Sequence, residues 1–423
     1  MNAAVLTDDG IAIQQVPLPS PGPSEVLVRV RTGGLNRADV MVASGHHYSK
    51  SMSGSGTVLG FECAGVVADL GTEARKHGGF QIGDRVMCGG VACWAEYAVA
   101  DWGWTDKIPA GMSWGEAASF SSALYTMHNA IVSVGGMRAG HRVLVQGASS
   151  GVGLMAMQIA KLKGASLVVG TSSDPERRAK LVEFGADMAV DACDPLWPDR
   201  VLAATGGEGV DLVIDNVSGA TVNGSLRATK VCGRIVNVGR LGGTTADFDF
   251  DLHARRRIEY VGVTFRTRST DEVRAIGREM RVDIGSAWEQ GKLRMPLDRT
   301  FPFAATAEAL AYMQANRHFG KIVLEISRDA PTEEKRGEGS KRKRDGNAVG
   351  APPEPQPAAQ RPRLKLSPRS ELMRAGDMGE GASQWAGLGV SVQRKKARCA
   401  ECTRPLTDSD ADVPLCSRCK VSS

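Results

Sequence analysis

The stretch VLVQGASSGVG (143–153) decides how this chain is read. HRVLVQ (141–146) is a β-branched apolar run, and GVGLMAMQIAKLKG (151–164) reads as a largely apolar helix stopped by Gly164. Between them stands a turn of small residues. A buried strand that runs through such a turn into a helix brings the helix's first amides and its dipole to the strand's carboxyl end. A pyrophosphate binds there, provided the backbone can come close. Gly147, Ala148, Ser149, Ser150, Gly151, Val152 and Gly153 are the residues that would hold it, and the small ones keep the turn tight. Over 148–153 the GxGxxG pattern reads Ala-x-Ser-x-x-Gly, with two glycines replaced. Taken alone, the degraded fingerprint is weak and leaves a tight strand–helix connection with no ligand as the alternative.

Working outward, the next strand bears on the cofactor. SLVVG (166–170) ends in Gly170-Thr171-Ser172-Ser173, with no acid directly after it and with Arg177 and Arg178 following. An NAD site usually places a carboxylate there for the ribose 2′-OH. A Ser172 hydroxyl and an Arg177 guanidinium suit a 2′-phosphate, which a carboxylate would repel. NADPH is therefore the expected cofactor, although Asp174 and Glu176 weaken the field and the arginines could simply be solvated helix charges. ASSGVG also suits short-chain dehydrogenases, which need a Lys four residues after a Tyr to lower the Tyr pKa. None of Tyr48, Tyr97, Tyr125, Tyr260 and Tyr312 is followed by one.

Strand and helix patterns then alternate through PERRAKLVEFG (175–185), VDLVID (210–215) and GRIVNVG (233–239). Such alternation implies a parallel sheet covered on both faces. Residues 1 to about 112 read instead as an all-β lobe of short strands broken by Gly and Pro, among them EVLVRVR (25–31), FECAGVVADLG (61–71), GDRVMCGG (83–90) and AEYAVA (95–100). FPFAATAEALAYMQANRHFGKIVLEI (301–326) reads as a helix and a final strand returning to that lobe.

Composition sets the remaining limits. Of the net charge of +5, all is carried by residues 329–423, with 18 Lys/Arg against 13 Asp/Glu; residues 1–328 are neutral. A neutral body gives no reason to invoke nucleic acid. The N-terminus MNAAVLTDDG lacks the features of a secretory signal, and no apolar run approaches a membrane span. Nine cysteines, an odd number scattered along the chain, suggest reduced thiols and a cytoplasmic setting.

Several motifs in a fixed order carry a wider resemblance. GLNRADVMVASGHHY (34–48), LGFECAGVVADLG (59–71), GDRVM (83–87), AEYAVAD (95–101), IPAGMSWGEAA (108–118), the glycine turn and HFGKIVLEI (318–326) follow the order seen in medium-chain dehydrogenase/reductases. The chain resembles the zinc-independent quinone oxidoreductase branch of that superfamily over about 1–328. The resemblance implies an α/β fold: a GroES-like domain over 1–120, completed by 295–328, and a Rossmann domain with a doubly wound parallel sheet over 121–294. It also implies a homodimer. Zinc alcohol dehydrogenases place Cys where this chain has Asn36 and His where it has Phe61, and neither replacement can bind zinc as those do.

The same resemblance implies site roles. Asn36 would lie near the nicotinamide and a substrate oxygen. Tyr48 would donate a hydrogen bond or proton, or fill the cleft mouth. Thr126, Gly239, Arg240, Phe265 and Arg266 would border the cofactor. Lys321 would approach it or sit solvated on a strand edge, Glu62 would belong to a buried ion pair, and Cys63 would be a core thiol.

From residue 329 to about 395 the chain is rich in charge, Pro, Gly and Ser, and is expected to be disordered. Residues 396–423 hold Cys399, Cys402, Cys416 and Cys419 as CxxC-x13-CxxC, spaced for one structural Zn²⁺. Redox-active cysteine pairs are the alternative. KRKR (341–344) and RKK (394–396) are a nuclear-import signal or plain linker charge, and the tail's partner is not legible. Three functions follow: an NADPH-dependent quinone or enone reductase, an enoyl-thioester reductase, and a non-catalytic NADPH-binding scaffold with a zinc adaptor.

Overall fold

A computed structural model describes residues 1–45 and 54–327. Tyr48, the 329–395 segment and the four C-terminal cysteines lie outside the described residues. The first lobe holds β1 (Asn2–Thr7), β2 (Gly10–Gln15), β3 (Glu25–Gly34), β4 (Glu62–Leu70), β5 (Arg85–Gly89), β6 (Tyr97–Asp101) and β7 (Thr105–Lys107). β1 and β2 pair with each other. β3 is the hub of the main sheet, pairing with both β4 and β6, so Val26, Val28 and Val30 are fully buried. The lobe is not purely β, because short helices run over Arg37–Ala43 and Thr72–His77. Asp39 starts the first of these, its Oδ2 accepting from the Asn36 amide at 2.7 Å.

The second lobe holds β8 (Arg142–Gln146), β9 (Leu167–Ser172), β10 (Met188–Asp191), β11 (Val210–Asp215), β12 (Thr229–Asn237) and β13 (Glu259–Gly262). All are parallel, in the order β10-β9-β8-β11-β12-β13. This is the doubly wound dinucleotide order, with its switch point between β8 and β11. Leu144 of β8 lies beside Val169 of β9 and Val213 of β11, and all three are fully buried. The helix Gly151–Leu162 follows β8; Leu154, Met155, Met157 and Ile159 are fully buried, which explains why its apolar residues are not confined to one stripe. β10 and β13 escaped the sequence reading because four-residue strands carry almost no periodicity.

The chain then returns to the first lobe. β14 (Leu297–Pro302) and β15 (Lys321–Glu325) extend its sheet to the order β14-β15-β3-β4-β5-β7, with β6 on β3. Phe301 and Pro302, read from sequence as part of a helical segment, end β14, and the helix is confined to Thr306–Gln314. Among the described residues no helix is long and apolar enough to cross a membrane.

The long helix Thr270–Glu289 fastens the lobes together. Arg274 grips Asp101 through Nε and Nη2 at 2.9 and 2.6 Å. Arg281 Nε donates to Asp106 Oδ1 at 2.6 Å, and its Nη2 donates to Tyr125 Oη at 2.6 Å and to Gly103 O at 2.9 Å. Tyr125 Oη donates in turn to Asp106 Oδ2 at 2.9 Å. Burial pushes the Asp106 carboxyl above its ordinary range, while the Arg281 charge pulls it back.

Candidate active site

The glycine turn is shaped by what a side chain would strike. Gly147 has φ +66°, a conformation natural to glycine. A Cβ on Gly153 would stand 2.5 Å from Gly147 O and 2.6 Å from Ala148 Cα, so only hydrogen fits where the helix meets the turn. Ser150 caps that helix: its Oγ accepts from Gly153 N at 3.1 Å and donates to Gly147 O at 2.8 Å. Thr171 holds the turn to β9, its Oγ1 accepting from Gly147 N at 3.0 Å and donating to Gln146 Oε1 at 2.8 Å. The Val152 amide is left at the helix start with no protein acceptor among the described residues, while Ser150 just before it forms an isolated parallel bridge with Gly320. Ser172 Oγ and Ser149 Oγ meet at 3.1 Å, so the turn and the end of β9 present neighbouring hydroxyls.

The switch point carries unmet acceptors. Asn216 Nδ2 donates to Gln146 O at 3.0 Å, whereas Asn216 Oδ1 and Asp215 Oδ2 are buried without a partner among the described residues. Burial pushes the Asp215 carboxyl up, opposed by the amides of Ser218 and Val217. Gly239 closes in on this point, since a Cβ there would lie 2.3 Å from Asn216 O. An open amide at the helix start and a turn that excludes a Cβ together fit the pyrophosphate of a dinucleotide.

Other expected site residues fall into place differently. Arg177 does not stand free: its Nη1 donates to Asn316 O at 2.7 Å and to His318 O at 3.3 Å, because the returning chain passes over the start of its helix. Thr126 is half-buried on the helix Ser121–His128, and Arg240 is exposed beyond β12. Phe265 stacks on Trp104, with centroids 5.4 Å apart and planes at 25°. Arg266 reaches from the second lobe to Met41 Sδ of the first at 3.9 Å. Cys63 is fully buried opposite Cys88, whose hydrogen bond pushes its thiol up.

Lys321 is not a solvated edge residue, being 4% exposed. Its stem passes the helix start, where a Cβ on Gly151 would lie 2.8 Å from Lys321 Cδ, and its ammonium turns into the first lobe. There it donates to Leu35 O at 2.7 Å, to Asn36 Oδ1 at 2.9 Å and to Glu62 Oε1. Glu62 also accepts from Asn36 Nδ2 at 2.8 Å and from Ser122 N at 2.9 Å. Sequence reasoning missed Ser122, Trp104, Arg281 and His318. His318 has a buried Nδ1 without a partner among the described residues; burial and then the Arg37 charge lower its pKa to about 4.

Residues 22–110 match the alcohol dehydrogenase GroES-like domain, and residues 151–280 match zinc-binding dehydrogenase. The chain belongs to the medium-chain dehydrogenase/reductase superfamily. An NAD-dependent alcohol dehydrogenase is 29% identical, with a TM-score of 0.65, covering 77% of this chain and 100% of its own. A mycobacterial protein solved with NADPH is 26% identical, with a TM-score of 0.67, covering 77% and 99%. The quinone oxidoreductase of Pseudomonas syringae is 26% identical, with a TM-score of 0.66, covering 77% and 100%. A mycocerosic acid synthase-like polyketide synthase of Mycobacterium tuberculosis is 29% identical over 321 residues, 74% of this chain. The chain spans only 14% of that protein's length.

Zinc-dependent members of the superfamily bind their metal at the corner where this chain has Asn36 and Phe61. The residues present do not fit a metal. The Asn36 carboxamide is committed to Lys321 and Glu62, and Phe61 has no donor atom.

Proposed function

We propose that this chain transfers a hydride from NADPH to a quinone or an α,β-unsaturated carbonyl compound without a catalytic metal. The observation that carries this reading is the corner just described, which holds an amide and a buried ion pair in place of a ligand set. A catalytic zinc stabilises a developing alkoxide by several kcal/mol. Conjugated acceptors need less help, because hydride delivery leaves a delocalised enolate or hydroquinone anion.

NADPH, when bound, supplies the hydride. The Val152 amide takes its pyrophosphate, and Ser149, Ser172 and the edge of Arg177 take the 2′-phosphate. Asp174, the first carboxylate after β9, is spent capping the next helix, its Oδ1 accepting from Arg177 N at 2.8 Å, which favours NADPH. The relative solved with NADPH supports the same choice. Thr126, Gly239, Arg240, Phe265 and Arg266 border the nicotinamide, and Asn36 and Tyr48 meet the substrate oxygen. In the tail, Cys399, Cys402, Cys416 and Cys419 hold one structural Zn²⁺ separate from the chemistry.

Enoyl-thioester reduction is the second reading, favoured by similarity to polyketide synthases. Steady-state oxidation of NADPH by the full chain, with a quinone panel, a simple enone and a crotonyl thioester, separates the two. Quinone or enone turnover that survives a strong chelator is the expected result. Turnover of the thioester alone, or loss of activity that zinc restores, would overturn the first reading.

A further inference from the structure

Asn36, Glu62 and Lys321 come from a loop, the start of β4 and the start of β15, and they meet in one hydrogen-bonded trio. Glu62 is 0% exposed and Lys321 4% exposed, whereas Asn36 is half-buried. All three ammonium N–H groups are committed, to Leu35 O, Asn36 Oδ1 and Glu62 Oε1. Glu62 Oε2 is held by the Ser122 amide, so the carboxylate is fixed from the helix that carries Thr126.

This arrangement dictates which way the carboxamide faces. Turning it over would set its NH₂ against an ammonium and its oxygen against a carboxylate, both of them buried. Oδ1 therefore belongs to Lys321 and one Nδ2 hydrogen to Glu62. An amide nitrogen has a second hydrogen. It lies on the only half-buried member of the trio. An asparagine without these neighbours would offer its oxygen or its N–H to the cleft indifferently.

We propose that Glu62 and Lys321 are positioning residues that lock the Asn36 carboxamide, so that its second N–H is presented to the cleft as a hydrogen-bond donor for the carbonyl oxygen of a quinone or enone. The proposal rests on the functional reading above. It assigns the buried pair a role in orientation: the charges select one of two otherwise similar amide orientations, and that choice sets the polarity of the site. A donor in that place gains strength as negative charge grows on the oxygen, so it acts on kcat more than on KM.

The test is a mutant cycle on the full chain. Removing Lys321 alone would strand a buried carboxylate, so Glu62→Met and Lys321→Met are made together; replacing a buried ion pair by apolar residues of similar volume is often neutral for folding. Asn36→Ala is made in the wild type and in the double-Met background. Circular dichroism and NADPH titration by fluorescence confirm that each variant is folded and loads cofactor.

In the wild type, Asn36→Ala should lower kcat for a quinone about 10²-fold, the scale of one lost oxyanion donor, with NADPH affinity unchanged. The double-Met variant should lose most of the same factor. Adding Asn36→Ala to it should then cost little more, because residues acting as one unit are not additive. A full second loss on top of the double-Met loss would show that the ion pair acts independently of Asn36 and would overturn the lock alone. So would an unchanged kcat in Asn36→Ala. Absence of quinone and enone turnover by the unmodified chain, with NADPH bound, would overturn the functional reading and the lock together.

Discussion

Replacing Arg281 with Met would cut the fastening between the lobes at its most buried point. Asp106 is 4% exposed, and its two oxygens are held by Arg281 at 2.6 Å and Tyr125 at 2.9 Å. Breaking one side of a buried ion pair costs about 3–5 kcal/mol, chiefly because the remaining charge is stranded. The Arg281 side chain is 32% exposed, so water already screens part of the pair and the lower figure, about 3 kcal/mol, applies. At about 2 °C per kcal/mol for a chain of this size, Tm should fall by about 6 °C.

The loss should also depend on pH. Burial already holds the Asp106 carboxyl above its ordinary range, and the Arg281 charge opposes that shift. With Met at 281 the opposition is gone and the native pKa climbs further. A carboxyl whose native pKa exceeds its unfolded value binds more protons when folded, so stability is lost as pH rises through that interval and regained as it falls. Urea unfolding followed by tryptophan fluorescence should show a larger deficit at pH 8 than at pH 5.5. Adding Asp106→Asn should recover much of it, because no charge is then stranded. Equal deficits at both pH values, together with no recovery from Asp106→Asn, would refute the reasoning.

His318, with a native pKa of about 4 against 6.5, should cost stability as pH falls from 6.5 toward 4, because the unfolded chain takes the proton first. The loss should reach about 2 kcal/mol near pH 4.5, and His318→Gln should flatten that limb of the pH–stability curve. Arg177→Ala frees the carbonyls of Asn316 and His318. If the guanidinium also serves the 2′-phosphate, the Kd for NADPH should rise about 10-fold and that for NADH should hold, whereas equal rises would make it an anchor only. Metal analysis should find about one zinc per full-length chain. It should be lost when Cys399, Cys402, Cys416 and Cys419 are changed to Ser, with reductase turnover intact; zinc retained in those variants would refute the site.

Much of the fold was legible in the chain because its signals are local. The apolar run of β8, the small-residue turn and the apolar helix after it are contiguous; Gly147 is set by its φ of +66° and Gly153 by the backbone of Gly147 and Ala148. The alternation from Arg142 to Asn237 pointed to a parallel sheet, and the substitutions at Asn36 and Phe61 could be judged against the motifs around them. Short elements were not legible, since β10 and β13 are each too brief to show a period.

The site's electrostatics were decided only by the fold. By itself the sequence determined the succession of strand, small-residue turn and helix, and it set Asn36 and Phe61 within motifs that resemble those of zinc alcohol dehydrogenases. It could not show where Lys321 points, because Lys321 and Glu62 are 259 residues apart and nothing near either names its partner. Arg281 and Asp106, 175 residues apart, are equally silent. A charge taken out of water must find an opposite charge or a set of dipoles, and which one it finds depends on the sheet edges and helices that the whole chain brings together. Local backbone preferences are written residue by residue, but the pairing of buried charges is settled only when distant segments pack.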